Sequence, residues 1–149
     1  MPLKEQLEND NNPPDSPFYR FHKDLFFDTG SGDIWKGPEK IIQIPPGQSR
    51  LFQIFLENPN ITLPHEWLLR NMYPDEHTLP GQFRFDSRIP SLLSKIRRTL
   101  KTIDEELLDK IEAVKGRGVR WLDLDYEVEA IQTEAFHQIR QELLRNAAI

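Results

Sequence analysis

The sequence has no cysteine and no long apolar run. Without cysteine, disulfide bonds and thiolate-bound metals are excluded, and a reducing compartment is compatible with the chain. No stretch is apolar enough to span a bilayer, and the first residues lack the pattern of a secretory signal. We therefore expect a cytoplasmic, nucleoid-associated protein that makes no use of a membrane.

Motifs for catalysis and for cofactors are missing or incomplete. Asp28-Thr29-Gly30 matches the signature of aspartic proteases, whose chemistry needs two aspartates that share a proton. The chain has one such triplet, and its later two thirds read as largely helical, so a β-turn is the favoured interpretation over a protease. Lys115-Gly116-Arg117-Gly118 lacks the spacing of a phosphate-binding loop. The four histidines (His22, His65, His77 and His137) lack the spacing of metal ligands. We expect no enzymatic activity, no metal and no cofactor.

What the chain does contain is a basic amphipathic segment over residues 83–101. Apolar residues recur there at the helical period and predict one buried face: Ile89, Leu92, Leu93, Ile96 and Leu100. Six cations stand against one acid, Asp86, which gives a net charge of +5 in a chain of net charge −5: Arg84, Arg88, Lys95, Arg97, Arg98 and Lys101. A helix charged only for solubility usually mixes both signs. The excess of one sign therefore predicts a polyanionic partner.

The flanking segments predict a mixed fold. Short apolar runs separated by turn residues predict antiparallel strands at 25–27, 33–36 and 40–44. Further periodicity predicts helices over 48–57 and about 65–73, the second with Trp67, Leu68 and Met72 buried. A charged turn over 102–110 and a hairpin over 111–124, with its tip at 115–118, follow the basic helix. Two helices, a basic helix and a hairpin form the order of a winged helix.

The two ends of the chain are predicted to lie outside this domain. Residues 1–20 are polar and rich in Asn and Pro, which predicts a flexible arm, although Phe18, Tyr19 and Phe21 could instead anchor it. The winged-helix domain is assigned to 21–125. Residues 126–149 are assigned to an extra helix, with a helical span of 126–146 and an apolar stripe that Phe136 and Leu144 widen: Val128, Ile131, Ala135, Ile139 and Leu143.

Over residues 25–124 the chain resembles the OmpR/PhoB-type winged-helix DNA-binding domain of bacterial response regulators. The segment Leu92–Leu100 is similar to the family's recognition helix, and Ile111–Trp121 is similar to its wing. The resemblance implies an α+β winged helix-turn-helix with an N-terminal antiparallel β-sheet, a three-helix core and a C-terminal β-hairpin wing. No receiver domain is present, so control by phosphorylation is not implied.

The resemblance also implies a function and its residues. A sequence-selective regulator of transcription would place helix 83–101 in the major groove of double-stranded DNA and wing 115–118 on the backbone or in the minor groove. Ser94 and Lys95 match the base-contacting pair, and loop 74–82 matches the segment that contacts RNA polymerase in family members. The expected DNA-binding residues are Arg84, Arg88, Ser91, Ser94, Lys95, Arg97, Arg98, Lys101, Lys115, Arg117 and Arg120.

The apolar stripe of helix 126–146 has two possible uses. It packs back on its own domain, or it forms a homodimer, which would double a weak DNA footprint. From residue 123 to residue 149, six acids stand against two arginines, a net charge of −4, so this helix should point away from DNA. A winged helix that has been adapted for protein contacts through this helix is the alternative function.

Overall fold

A computed structural model of the protein describes residues 17–76, 86–123 and 125–147. In chain order its strands are β1 (Phe18–His22), β2 (Leu25–Asp28), β3 (Asp33–Lys36), β4 (Glu39–Gln43), β5 (Ile111–Val114), β6 (Gly118–Trp121) and β7 (Glu129–Ile131). Its α-helices are α1 (Pro46–Glu57), α2 (His65–Met72), α3 (Arg88–Ile103) and α4 (Thr133–Ala147), and a 3-10 helix covers Glu105–Lys110. These elements form two compact units, Met1–Ile44 with Tyr126–Ile149, and Pro45–Asp125.

Unit 1 contains a five-stranded antiparallel sheet in the order β4-β3-β2-β1-β7. The predicted strands at 25–27, 33–36 and 40–44 correspond to β2, β3 and β4. The flexible-arm prediction was wrong for Phe18, Tyr19 and Arg20, because these residues form strand β1 between β2 and β7. The alternative, an anchoring aromatic segment, was correct, since Phe18 and Phe21 are buried. The rest of the predicted arm, 1–16, lies outside the described residues.

The C-terminal helix packs against the sheet of unit 1. Phe136 of α4 is fully buried and stacks on Phe18 with ring centroids 3.9 Å apart. Phe26 and Ile131 complete this core cluster, against which Trp35, Ala135 and Ile139 also pack. Of the two uses weighed for the apolar stripe, packing on its own domain therefore accounts for its central residues.

The predicted span of this helix, 126–146, was wrong at its start. Glu129–Ile131 forms strand β7, and the helix begins at Thr133. The open edge of β1 provides backbone partners, so the pairing of Phe18 with Ile131 overrides the helical periodicity of this segment. Val128 lies between elements, and Ile131 contributes to the core from a strand.

Over its described residues, unit 2 contains helices α1 to α3, the 3-10 helix and the β5–β6 hairpin. The helices predicted over 48–57 and 65–73 correspond to α1 and α2. The helix predicted over 83–101 was wrong at its ends, because α3 begins at Arg88, directly after Ser87, and ends at Ile103. Trp67 was wrongly predicted to be buried: its exposed fraction is 38%, and Leu68, Leu69 and Met72 form the buried face of α2 instead. No helix in the described ranges combines the length and the apolar character needed to cross a membrane.

The segment between α1 and α2, which contains Leu63, joins the hairpin to the helices of unit 2. The backbone N–H of Leu63 donates to the carbonyl of Val119 at 2.8 Å, and Val119 returns the bond at 3.1 Å. Trp121 of β6 is fully buried and lies edge-on to Phe52 of α1, 5.5 Å between centroids. These contacts fix the base of the hairpin beside the start of α2.

Candidate nucleic-acid interface

Helix α3 has a buried face and a polar face, as the sequence predicted. Ile89, Leu93, Ile96 and Leu100 are buried, whereas Leu92 is only partly buried. The opposite face is exposed over a length of three turns and carries Ser91, Ser94, Lys95, Arg98 and Lys101. Arg97 is partly buried on the flank. The helix therefore presents a row of small and cationic side chains.

The start of α3 is set by an aspartate and a proline. The Asp86 carboxylate accepts a hydrogen bond from the backbone N–H of Arg88 at 2.9 Å, which supplies one of the missing partners of a first helical turn. Pro90 is the third residue of the helix, where a missing N–H costs no intrahelical bond. Residues 83–85, including the candidate Arg84, lie outside the described residues.

Carboxylate groups and an aromatic ring engage Arg88 at the start of α3. Its guanidinium donates to Glu76 at 2.8 and 2.9 Å and to Asp86 at 2.7 Å, and it lies 4.0 Å from the ring centroid of Tyr73. Hydrogen bonds from Arg88 lower the pKa of both carboxyl groups, and the same bonds raise the pKa of Arg88. Arg88 thus links the chain just after α2 to the start of α3, a positioning role that we call the Arg88 clamp.

The Arg88 clamp predicts an acid-sensitive contribution to stability. Because the carboxyl pKa values are lowered in the folded state, the contribution is fully present above about pH 4.5 and is lost as the pH falls through the folded values. Arg88→Gln should lower the urea midpoint at pH 5 and should flatten its fall towards pH 3. Arg98→Gln is the matched control on the same helix. Equal acid sensitivity of Arg88→Gln and wild type would contradict the clamp.

The wing projects two cations from a tight turn. Strands β5 and β6 pair in register from Ile111–Trp121 to Val114–Gly118, as predicted. Lys115 and Arg117 are exposed at the tip, and Gly116 between them has a φ of 75°. Arg120, another candidate, is engaged within the hairpin, since its Nε donates to Glu112 at 2.6 Å. Of the wing candidates, Lys115 and Arg117 are therefore the available cations.

A cleft of about 520 Å³ lies between α3, the wing and the start of α2. Arg97 and Pro90 line it from α3, and Lys115 and Arg117 line it from the wing. His65 and Glu66 line the third side, at the first turn of α2. Sequence reasoning did not select His65, because no motif marks it. Its position directly after Pro64, at a predicted helix start, was the one available signal.

The competing protease motif forms a local turn. The Asp28 side chain accepts a hydrogen bond from the backbone N–H of Gly30 at 2.9 Å, and the Asp28 carbonyl accepts one from Gly32 at 2.8 Å. Thr29 donates from its hydroxyl to the carbonyl of Pro17 at 2.8 Å. The triplet thus provides the connection between β2 and β3 that the β-turn interpretation predicted.

No family model and no curated protein matches this sequence. Solved structures do match. The DNA-binding domain of Escherichia coli CadC aligns with a TM-score of 0.60 and 18% identity, over 76% of this chain and 96% of that one. The DNA-binding domain of response regulator AdeR, solved with an intercistronic region, gives a TM-score of 0.52 and 17% identity over 68% and 96%. The Klebsiella pneumoniae RstA DNA-binding domain, solved with the RstA box, gives 0.51 and 15% over 67% and 92%.

These similarities establish the fold. The chain is α+β, with an N-terminal antiparallel sheet, helices α1 to α3 and a β-hairpin after them, as in the winged-helix domains of OmpR/PhoB-type regulators. The fold implied by the resemblance of Leu92–Leu100 and Ile111–Trp121 is confirmed. Strand β7 and helix α4 follow the wing in this chain.

Proposed function

We propose that this chain is a sequence-selective double-stranded DNA-binding regulator of transcription. Helix α3 enters the major groove, and the wing contacts the backbone or the minor groove. The observation that carries the proposal is the exposed face of α3, where Ser91, Ser94, Lys95, Arg98 and Lys101 lie opposite the buried stripe. A DNA partner explains why this outer face carries three cations and no acid.

The exposed face suggests different roles for its residues. Lys95 and Arg98 are long enough to donate hydrogen bonds to guanine, whereas Ser91 and Ser94 permit close approach and contact either kind of base. Lys101 and Arg97, towards one flank, suit phosphates, which fix position without reading sequence. Arg88 and Arg120 are less suited to DNA, because carboxylates already engage them. RstA and AdeR were solved with DNA, which supports the same partner here.

The proposal is tested by binding to duplexes selected from a random pool, measured over a range of salt concentrations. Each neutralised phosphate contributes about −0.9 to the slope of log affinity against log salt. Arg117→Ala should weaken all duplexes by a similar factor and should make the slope less steep by about 0.9. Wild-type affinity that does not change with salt would refute the proposal. A changed sequence preference in Arg117→Ala would instead mean that the wing reads bases or groove width.

We also propose the two protein contacts that the resemblance and the C-terminal helix suggest. The segment 74–82 would contact RNA polymerase, and loss of activated transcription with intact DNA binding in a variant of this segment would test it.

A homodimer through α4 would use Leu144, whose side chain is 39% exposed. Sedimentation of the full chain and of Leu144→Arg tests this, because truncation at Asp125 would remove Phe136 from the core. A wild-type monomer would refute the dimer.

A further inference from the structure

The cleft between α3, the wing and α2 has a strong charge bias. Its lining includes three permanent cations, Arg97, Lys115 and Arg117, and one carboxylate, Glu66. The Glu66 carboxylate accepts a hydrogen bond from Arg70 of the same helix at 2.6 Å, so it is already compensated. A cleft between a recognition helix and a wing lies where a backbone strand passes from the major to the minor groove. The charge and the position both suit a run of phosphates.

Among the described residues, His65 is the one histidine that lines this cleft. It is the first residue of α2, and its side chain is partly buried. Its backbone position is well fixed, because the adjoining Leu63 exchanges two hydrogen bonds with Val119 at the base of the wing. An imidazole that contacts an anion gains a positive charge more readily within the physiological pH range. A phosphate in the cleft would supply that anion.

We propose that a DNA backbone strand occupies this cleft and that His65 contacts a phosphate as imidazolium, so that DNA affinity rises as the pH falls. This inference rests on the proposed function and adds a regulatory property to it. The charged groups that line the cleft together with His65 are Glu66 on α2, Arg97 on α3, and Lys115 and Arg117 on the wing. A bound phosphate favours the imidazolium. Binding therefore takes up a proton.

The size of the pH dependence follows from the linkage between proton binding and DNA binding. If a bound phosphate stabilises the imidazolium by the equivalent of one pH unit, affinity rises by up to about tenfold over the titration range. Between about pH 7.5 and about pH 5.5 we expect wild-type affinity to increase by roughly 3- to 10-fold. Histidine is the side chain whose ordinary charge change falls within this range, so the proposal assigns the change in affinity to His65.

The experiment measures fluorescence anisotropy of a selected duplex at constant ionic strength across this pH range. His65→Gln, which keeps a hydrogen-bond donor but cannot be protonated, should bind with an affinity that stays nearly constant across this pH range. His137→Gln, at an exposed position on α4, is the matched control and should retain the wild-type pH dependence. Circular dichroism checks that each variant is folded.

Calorimetry in buffers of different ionisation enthalpy provides a second readout. Wild type should take up a fraction of a proton on binding near pH 6.5, and His65→Gln should take up less. Equal pH dependence in His65→Gln and wild type, or a wild-type affinity that does not vary with pH, would overturn the inference. Absence of DNA binding at every pH would instead refute the proposed function, so the two failures are distinguishable.

Discussion

Replacing Gly118 with alanine is expected to destabilise the protein by about 2–5 kcal/mol. Gly118 begins β6 with a φ of 143°, a conformation that side chains rarely adopt. An added Cβ would lie 2.6 Å from the carbonyl carbon of Leu63 and 2.9 Å from the Cα of Pro64, and it would overlap the Leu63 carbonyl oxygen. These neighbours are backbone atoms, so relief requires the base of the wing to move away from the start of α2.

Gly116→Ala is the matched control for this prediction. Gly116 also has a positive φ, 75°, but an added Cβ would meet no heavy atom within 4 Å. Only the backbone penalty applies, so a loss of about 1 kcal/mol is expected. Urea denaturation of both variants measures the difference. If Gly118→Ala is no less stable than Gly116→Ala, the close approach of the Leu63 segment to the wing is not a constraint on the fold.

Replacing Lys95 or Arg98 with alanine is expected to weaken binding to the preferred duplex by about 1–3 kcal/mol each. Both side chains are exposed on the outer face of α3, and neither contributes to the buried stripe formed by Ile89, Leu93, Ile96 and Leu100. Loss of a base contact also relaxes preference at the base pair it reads, whereas loss of a phosphate contact does not. Competition between preferred and random duplexes separates the two effects.

The double variant Lys95→Ala/Arg98→Ala removes two positive charges. Its control with the same change in charge is Lys36→Ala combined with Arg145→Ala. Lys36 ends β3 and Arg145 lies in the last turn of α4, both exposed and both in unit 1. This variant should lose only the weak, sequence-independent part of the affinity that follows net charge. If Lys95→Ala/Arg98→Ala keeps the wild-type sequence preference, DNA affinity and stability, α3 is not the element that recognises the bases.

The sequence was most informative where structure depends on local pattern. Helix α3 was predictable because four of the five apolar residues at the helical period became buried, and the wing was predictable because two glycines mark its turn. Pro90 is compatible with the helix start at Arg88, because the third residue of a helix needs no N–H for an intrahelical bond. In each case the determining interactions lie within one or two turns of the chain.

Strands β1 and β7 could not be predicted in the same way. Phe18 and Ile131 become partners in one sheet although the helices and the wing separate them along the sequence. Local composition favours a polar arm at the N-terminal segment and a helix at the C-terminal segment. Neither local pattern indicates that β1 and β7 pair with each other. The burial of Phe136 against Phe18 depends on that same long-range contact.

The candidate site shows a similar limit. The sequence identified the cations of α3 and of the wing, because their number and spacing are visible in one segment. It could not show that Arg88 and Arg120 are engaged by Glu76, Asp86 and Glu112, since charge counting ignores geometry. It also gave no reason to select His65, which borders the cleft only because Leu63 pairs with Val119.

The pairing of β1 with β7 determines how this protein would respond to tension. Phe18 faces Ile131 in an antiparallel ladder, so once α4 has detached from the sheet, a pull on the chain before β1 and after α4 acts at one end of that ladder. In this geometry the hydrogen bonds break one after another, as in unzipping, and they do not share the load. While these hydrogen bonds are intact, the force passes directly from β1 to β7. The Pro45–Asp125 segment, which carries α3 and the wing, then bears no load.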